Sequence, residues 1–260
     1  MKKYGICLQA VVPVRKSPGD KNEMTNQLLF GELLSIKDTF ENWLLIESAD
    51  DNYEGWVDKK QLQEITNETY QQLSNAKIFM LEDITGRCTI HTDKTSSWLV
   101  MGSRLPNVKE NVFEINGQSF SLQGSCRPIP AKTERKQLVE TALKYLNTPY
   151  LWGGRSPFGI DCSGFMQVVF KLCGYQLPRD ASQQVDHGKT VDFIHEAKPG
   201  DLAFFGNEEG EIIHVGMVLD GHNIIHASGK VRIDQLDHQG IYNKQEKRYS
   251  HKLRVIKGIV

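Results

Sequence analysis

The 260 residues carry 31 Lys and Arg against 32 Asp and Glu, a formal net charge of -1, with 24% charged and 39% hydrophobic side chains. At roughly 150 residues per domain this is one large unit or two to three small ones, and the composition excludes a disordered or fibrous chain. A balanced charge without a nucleic-acid-binding motif excludes nucleic acid as the partner, and no apolar run nears the roughly 18 to 20 residues that span a bilayer.

The stretch Tyr4 to Val14 is interrupted by Gln9 and has no small-residue cleavage site, so it reads as a strand rather than a signal peptide, and a cytoplasmic location is expected. Five cysteines (Cys7, Cys88, Cys126, Cys162, Cys173), odd in number and without a C-x-x-C pair, argue against a disulfide framework or a structural zinc site. Apolar and β-branched runs at Leu8–Val14, Leu28–Ile36, Trp43–Glu47 and Gly55–Val57, separated by turn-rich segments, predict a small antiparallel barrel over residues 1–66. The polar stretch Gln63 to Asn75 leads to a second strand-rich block over 76–128, with runs at Trp98–Met101, Val112–Ile115 and Ser119–Leu122. A G-x-x-L pattern at Gly31 and Leu34 recurs at Gly102 and Leu105, which suggests a diverged repeat.

Arg127-Pro128-Ile129-Pro130 predicts an extended connector, after which a third unit runs from 133 to 260. Thr133 is placed to cap a helix with Leu138, Val139, Ala142, Leu143 and Leu146 at helical spacing. A second helix is expected from Cys162 to Cys173, with Phe165, Val169 and Leu172 on one face and Gly174 as its stop. Strands follow at Asp201–Phe205, Ile212–Leu219, Ile224–Ala227 and Lys252–Ile256, and Trp152 is assigned to the core.

The chemistry concentrates in this third unit. Asp161-Cys162-Ser163 puts a thiol at a loop-to-helix junction with Asp161 as N-cap, where unpaired N–H groups and the macrodipole favour a thiolate. His214 and His226 lie on successive strands across an Asp220-Gly221 turn, and they share a sheet face only if the loop is odd in length or a bulge intervenes. Zinc on His214, His222 and His226 is the competing reading, disfavoured because neither a helical H-E-x-x-H nor a suitably spaced sulfur ligand is present. No metal and no cofactor are therefore expected.

The ordered motifs Thr148-Pro149-Tyr150-Leu151-Trp152-Gly153-Gly154, Asp161-Cys162-Ser163-Gly164-Phe165, Leu177-Pro178-Arg179-Asp180-Ala181-Ser182, Pro199-Gly200-Asp201, His214-Val215-Gly216 and Ile225-His226-Ala227-Ser228 resemble the NlpC family of cysteine peptidases. The resemblance implies an α+β, papain-like domain in which Cys162 attacks a peptide carbonyl, His214 is the general base, His226 orients it and Tyr150 stands beside the nucleophile. The motifs Leu28-Leu29-Phe30-Gly31-Glu32 and Asp51-Asn52-Tyr53-Glu54-Gly55-Trp56-Val57 resemble bacterial SH3-like domains, so two small SH3-like barrels are expected to precede the peptidase.

The combination resembles γ-D-glutamyl-L-diamino acid endopeptidases. That implies a murein-derived peptide with a free N-terminal L-Ala as substrate, with Tyr53, Glu23, Asp161, Ser163 and Ser182 contacting it. An exported hydrolase that binds intact wall through its SH3-like domains, or a non-catalytic wall-binding protein, are the alternatives. Simple helix capping for Asp161 and local hydrogen bonding for the serines are the bland readings of those positions.

Overall fold

In the computed structural model, which describes residues 2–260, the chain divides into two compact units. One comprises 2–129 with 152–157, the other 130–151 with 158–260.

The first unit is almost entirely β. A seven-stranded antiparallel sheet runs in the spatial order Met24–Leu29, Val11–Arg15, Glu54–Asp58, Trp43–Ser48, Leu33–Phe40, Lys3–Ile6, Gln63–Ile65. Alternation along these strands buries Val12, Val14, Leu34, Leu44, Ile46 and Val57 in one core. The expected single run Leu28–Ile36 is two strands, broken where Gly31 turns at φ +81°.

The second strand-rich block forms a four-stranded and a three-stranded sheet. Its core residues Leu99, Leu105, Phe113 and Phe120 merge with Ile6, Phe30 and Leu33 of the first block. The two G-x-x-L turns meet: Arg104 N–H donates to Phe30 O at 2.8 Å, and a Cβ on Gly31 would lie 2.0 Å from Arg104 O.

The polar stretch after residue 63 contains a helix, Asn67–Ser74, capped by Thr66. Its single buried residue, Leu73, left too little apolar periodicity to show it. Part of the predicted connector is also a strand, Cys126–Pro128, paired with Ile78–Leu81.

In the second unit, helix α1 (Arg135–Leu143) is N-capped by Glu134 without a side-chain hydrogen bond. Thr133, the expected cap, instead sends its N–H and hydroxyl to Cys173 O. Leu138 and Ala142 are buried but Leu143 and Leu146 are exposed, so the apolar face is narrower than the spacing suggested.

Helix α2 (Cys162–Leu172) is buried from Cys162 through Phe170 and lies against a sheet built from β1 (Leu202–Gly206), β2 (Ile212–Asp220), β3 (Asn223–Ser228), β4 (Lys230–Leu236), β5 (Gly240–Asn243) and β6 (Arg248–Gly258). Neighbours pair antiparallel in the order β6-β1-β2-β3-β4-β5, and β5 pairs back onto β6, closing a barrel. Ala203, Phe205, Val218, Ile224, Leu236, Ile241 and Ile256 fill it.

Candidate active site

Asp161 ends the loop before α2 in an extended conformation and accepts a hydrogen bond from Gly164 N–H at 2.7 Å, as its N-cap position predicts. Its carboxylate also receives Arg179 Nη2 at 2.5 Å, Arg179 Nη1 at 3.1 Å and the Ser163 hydroxyl at 3.3 Å, while Ser163 Oγ accepts from Arg179 Nη1 at 2.9 Å. Arg179 and Asp161 are only 1% and 4% exposed. The pair is therefore a desolvated, bidentate ion pair under the helix start. Ser163 thus bonds both members of the pair, and Ser182 sits exposed on the short helix Ala181–Gln184.

The Cys162 thiol, 6% exposed, lies within hydrogen-bonding reach of the backbone N–H groups of Ser163 and Val215, which sets it against the strand that carries His214. Burial pushes the thiol up to about 11, reinforced by the Asp161 charge and opposed by those N–H groups and Arg179. The helix start alone therefore does not make a resting thiolate. His214 is held well below its ordinary value by burial and by the neighbouring His251 and His226, so thiol and imidazole each rest neutral.

Register decides what surrounds His214. Phe205 faces His214 across β1–β2, Gly216 faces His226 across β2–β3, and Ile224 faces Asp234 across β3–β4. The β2–β3 hairpin has its register shift between Val218 and Asp220, and that bulge puts His214 and His226 diagonally on one face.

Gly216 makes the arrangement possible, because a Cβ there would come 2.8 Å from His226 Cβ. His214 Nε2 lies 2.9 Å from His226 Nδ1, and His226 Nε2 lies 3.0 Å from Asp234 Oδ2. Although burial opposes it, hydrogen bonds from His226 and Arg232 hold the Asp234 carboxyl below its ordinary value. An ionised Asp234 can only accept, so a neutral His226 carries its proton on Nε2 and accepts at Nδ1. His214 then donates from Nε2 and keeps the lone pair on Nδ1.

Tyr150 is partly exposed rather than packed in the core, held by its backbone N–H to Gly229 O at 3.0 Å. Burial raises its phenol, reinforced by the Cys162 and Asp161 charges, so it remains a donor. Of the zinc alternative, His222 is exposed in the β2–β3 turn, so that triplet is not assembled. The third histidine beside His214 is instead His251 on β6, stacked on it with centroids 4.1 Å apart.

Tyr53 and Glu23 belong to the first unit. Tyr53 N–H closes a turn onto Asp51 Oδ1 at 3.1 Å, and Glu23 Oε1 accepts from Trp152 Nε1 at 2.9 Å. Trp152 is 58% exposed, contrary to its core assignment, because an indole pinned by its N–H presents its ring outward. Two residues given no role are structural keys: Arg179, within a quoted motif, and Arg155, next after Gly154, whose guanidinium meets the buried Glu32 at 2.9 Å. Asp234 lies outside every motif, and only its register reveals it.

A thiol at a buried helix start, backed by a histidine relay ending in a carboxylate, is the working arrangement of a papain-like cysteine peptidase. Comparison with known proteins agrees. The NlpC/P60 family model matches residues 147–250, and that of the bacterial dipeptidyl-peptidase Sh3 domain matches 14–62. The γ-D-glutamyl-L-lysine dipeptidyl-peptidase of Bacillus subtilis is 34% identical over 79% of this chain and 73% of its own length. Dipeptidyl-peptidase 6 of Lysinibacillus sphaericus is 28% identical over 86% and 88%. The crystal structure of an NlpC/P60 family protein from Bacillus cereus superposes with a TM-score of 0.83 at 22% identity, covering 98% of this chain and 99% of that one. The chain belongs to the NlpC/P60 family of cysteine peptidases.

Proposed function

We propose that the chain hydrolyses the γ-D-Glu to L-diamino acid bond of released peptides, L-Ala-γ-D-Glu-L-Lys or its diaminopimelate counterpart, liberating L-Ala-γ-D-Glu during cytoplasmic recycling of cell-wall peptides. The observation that carries the chemistry is the relay Asp234, His226, His214, whose strand also brings the Val215 N–H to the Cys162 thiol. The bond specificity rests on the names of the similar peptidases and on the SH3-like match.

His214 Nδ1 takes the thiol proton as Sγ attacks the γ-carbonyl carbon of D-Glu. The Tyr150 hydroxyl and a helix-start N–H stabilise the oxyanion. The proton passes from His214 to the leaving amine of the diamino acid, and water, deprotonated by His214, hydrolyses the thioester. Asp161, paired with Arg179, fixes the nucleophile's helix start, and Asp161 and Ser163 also contact the substrate. Glu23, Tyr53 and Ser182 supply polar contacts to the substrate, Glu23 and Tyr53 at its α-ammonium. Peptidoglycan still attached to glycan has that nitrogen acylated and is spared.

The test compares turnover of free and N-acetylated tripeptide, with Cys162→Ala as the blank. A charged contact worth about 1.5 to 3 kcal/mol translates into a roughly ten- to hundredfold lower kcat/KM for the acetylated peptide. Equal turnover of the two removes the amine requirement and favours action on intact wall. Retained activity in Cys162→Ala removes the nucleophile.

A further inference from the structure

The barrel end holds a cluster that the peptidase chemistry does not use in full. His214, His226 and His251 each present a ring nitrogen, and these three atoms lie within 4.8 Å of one another. Register explains the convergence. His251 faces Ile241, which faces Leu236, two residues from Asp234 on the same face of β4, so the closed barrel brings β6 round to β2 and β3.

His226 already has the posture of a metal ligand: one nitrogen is bonded to a carboxylate that fixes the ring, and the other points into the cluster. A cavity of about 610 Å³ lined by Phe205, Ile213, Tyr249, Lys252 and His251 gives the cluster a route to solvent.

We infer that His214, His226 and His251 form a three-imidazole site for a divalent ion of the Zn²⁺ type, and that the bound ion holds the peptidase in a reversible inactive state. Tetrahedral zinc with bonds of about 2.0 Å places its nitrogens roughly 3.3 Å and its ring centroids roughly 5 Å apart. The His214–His226 pair, at 2.9 Å between nitrogens and 5.1 Å between centroids, is close to this geometry. The His214–His251 stack at 4.1 Å must open by about 1 Å. His251 supplies that movement, because it is the partly exposed member and stands on the cavity wall.

Three protein nitrogens leave the fourth position to water from the cavity. Zinc on His214 Nε2 moves that ring's proton to Nδ1, the atom that must receive the thiol proton. The base is thereby removed without any covalent change. Metal binding stands on the cluster alone, whereas the inhibitory consequence rests on His214 being the base.

The experiment uses the full chain carrying Cys162→Ser, which removes the competing thiol, titrated calorimetrically with ZnCl₂. The expected result is one ion per chain with a Kd in the micromolar range or tighter. Adding His251→Ala should weaken binding at least tenfold. Zinc-edge X-ray absorption should show imidazole nitrogens and no sulfur, and the same spectrum on the unsubstituted chain serves if a variant fails to fold. Stoichiometric zinc should abolish tripeptide turnover by the unsubstituted chain, and a chelator should restore it.

Absence of binding, unchanged affinity in His251→Ala, or a sulfur ligand in the spectrum each overturns the site. A chain that binds zinc through three imidazoles yet cleaves no tripeptide when metal-free refutes the proposed function and leaves the site standing. Full turnover with zinc bound refutes the inhibition alone.

Discussion

Arg179→Met isolates the electrostatics of the nucleophile's helix start. Both members of the pair are buried, so solvent screening discounts little of the interaction. Removing the guanidinium strips the Asp161 carboxylate of its bidentate, charge-assisted hydrogen bonds. An uncompensated buried charge of this kind costs about 3 to 5 kcal/mol. At about 2 to 4 °C per kcal/mol, the unfolding midpoint of the peptidase unit should fall by roughly 6 to 20 °C.

Arg179 also pulls the Cys162 thiol down while Asp161 pushes it up, so its loss should raise the thiol further and slow alkylation by iodoacetamide. The double variant Arg179→Met/Asp161→Asn discharges both sites and keeps a competent N-cap, so it should recover most of the stability. Thermal unfolding of the four proteins in the cycle measures the coupling. A single variant within about 1 kcal/mol of the parent, or a double variant no more stable than the single, would falsify the claim that this ion pair is held at full strength by burial.

The neutral resting pair predicts that alkylation of Cys162 without substrate rises about tenfold per pH unit from about pH 6 to about pH 9, since the thiol sits near 11. A plateau across that range would instead reveal a preformed thiolate–imidazolium pair. Gly216→Ala forces a Cβ to 2.8 Å from both His226 Cβ and Ile224 Cδ1, so it should cost about 1 to 3 kcal/mol in thermal unfolding and at least tenfold in kcat; unchanged kinetics would show that His226 need not stay where it is. In Asp234→Asn, Arg232 competes for the single amide oxygen, turning the amide N–H toward His226 and reversing the tautomer. By analogy with other triads kcat should fall about 10² to 10⁴-fold while the fold persists, and an active, folded variant would end the relay's role.

Local chemistry made the nucleophile legible: Asp161-Cys162 ahead of an apolar run spells a capped helix start, and the odd-loop-or-bulge condition on His214 and His226 follows from strand periodicity alone. The sheets of the first unit show in alternating strands and turns for the same reason, that short-range patterns dictate short-range structure. What tertiary structure decided is non-local. Asp234 and His251 reach the site only because a closed barrel sets their registers, and no spacing in the chain encodes which strands close it. Arg179 finds Asp161 across eighteen positions of chain, and burial, a property of the assembled fold, overrides the helix terminus and leaves Cys162 a neutral thiol. Sequence thus named the reacting groups, while packing fixed their partners and protonation, because desolvation and register depend on residues brought together from distant parts of the chain.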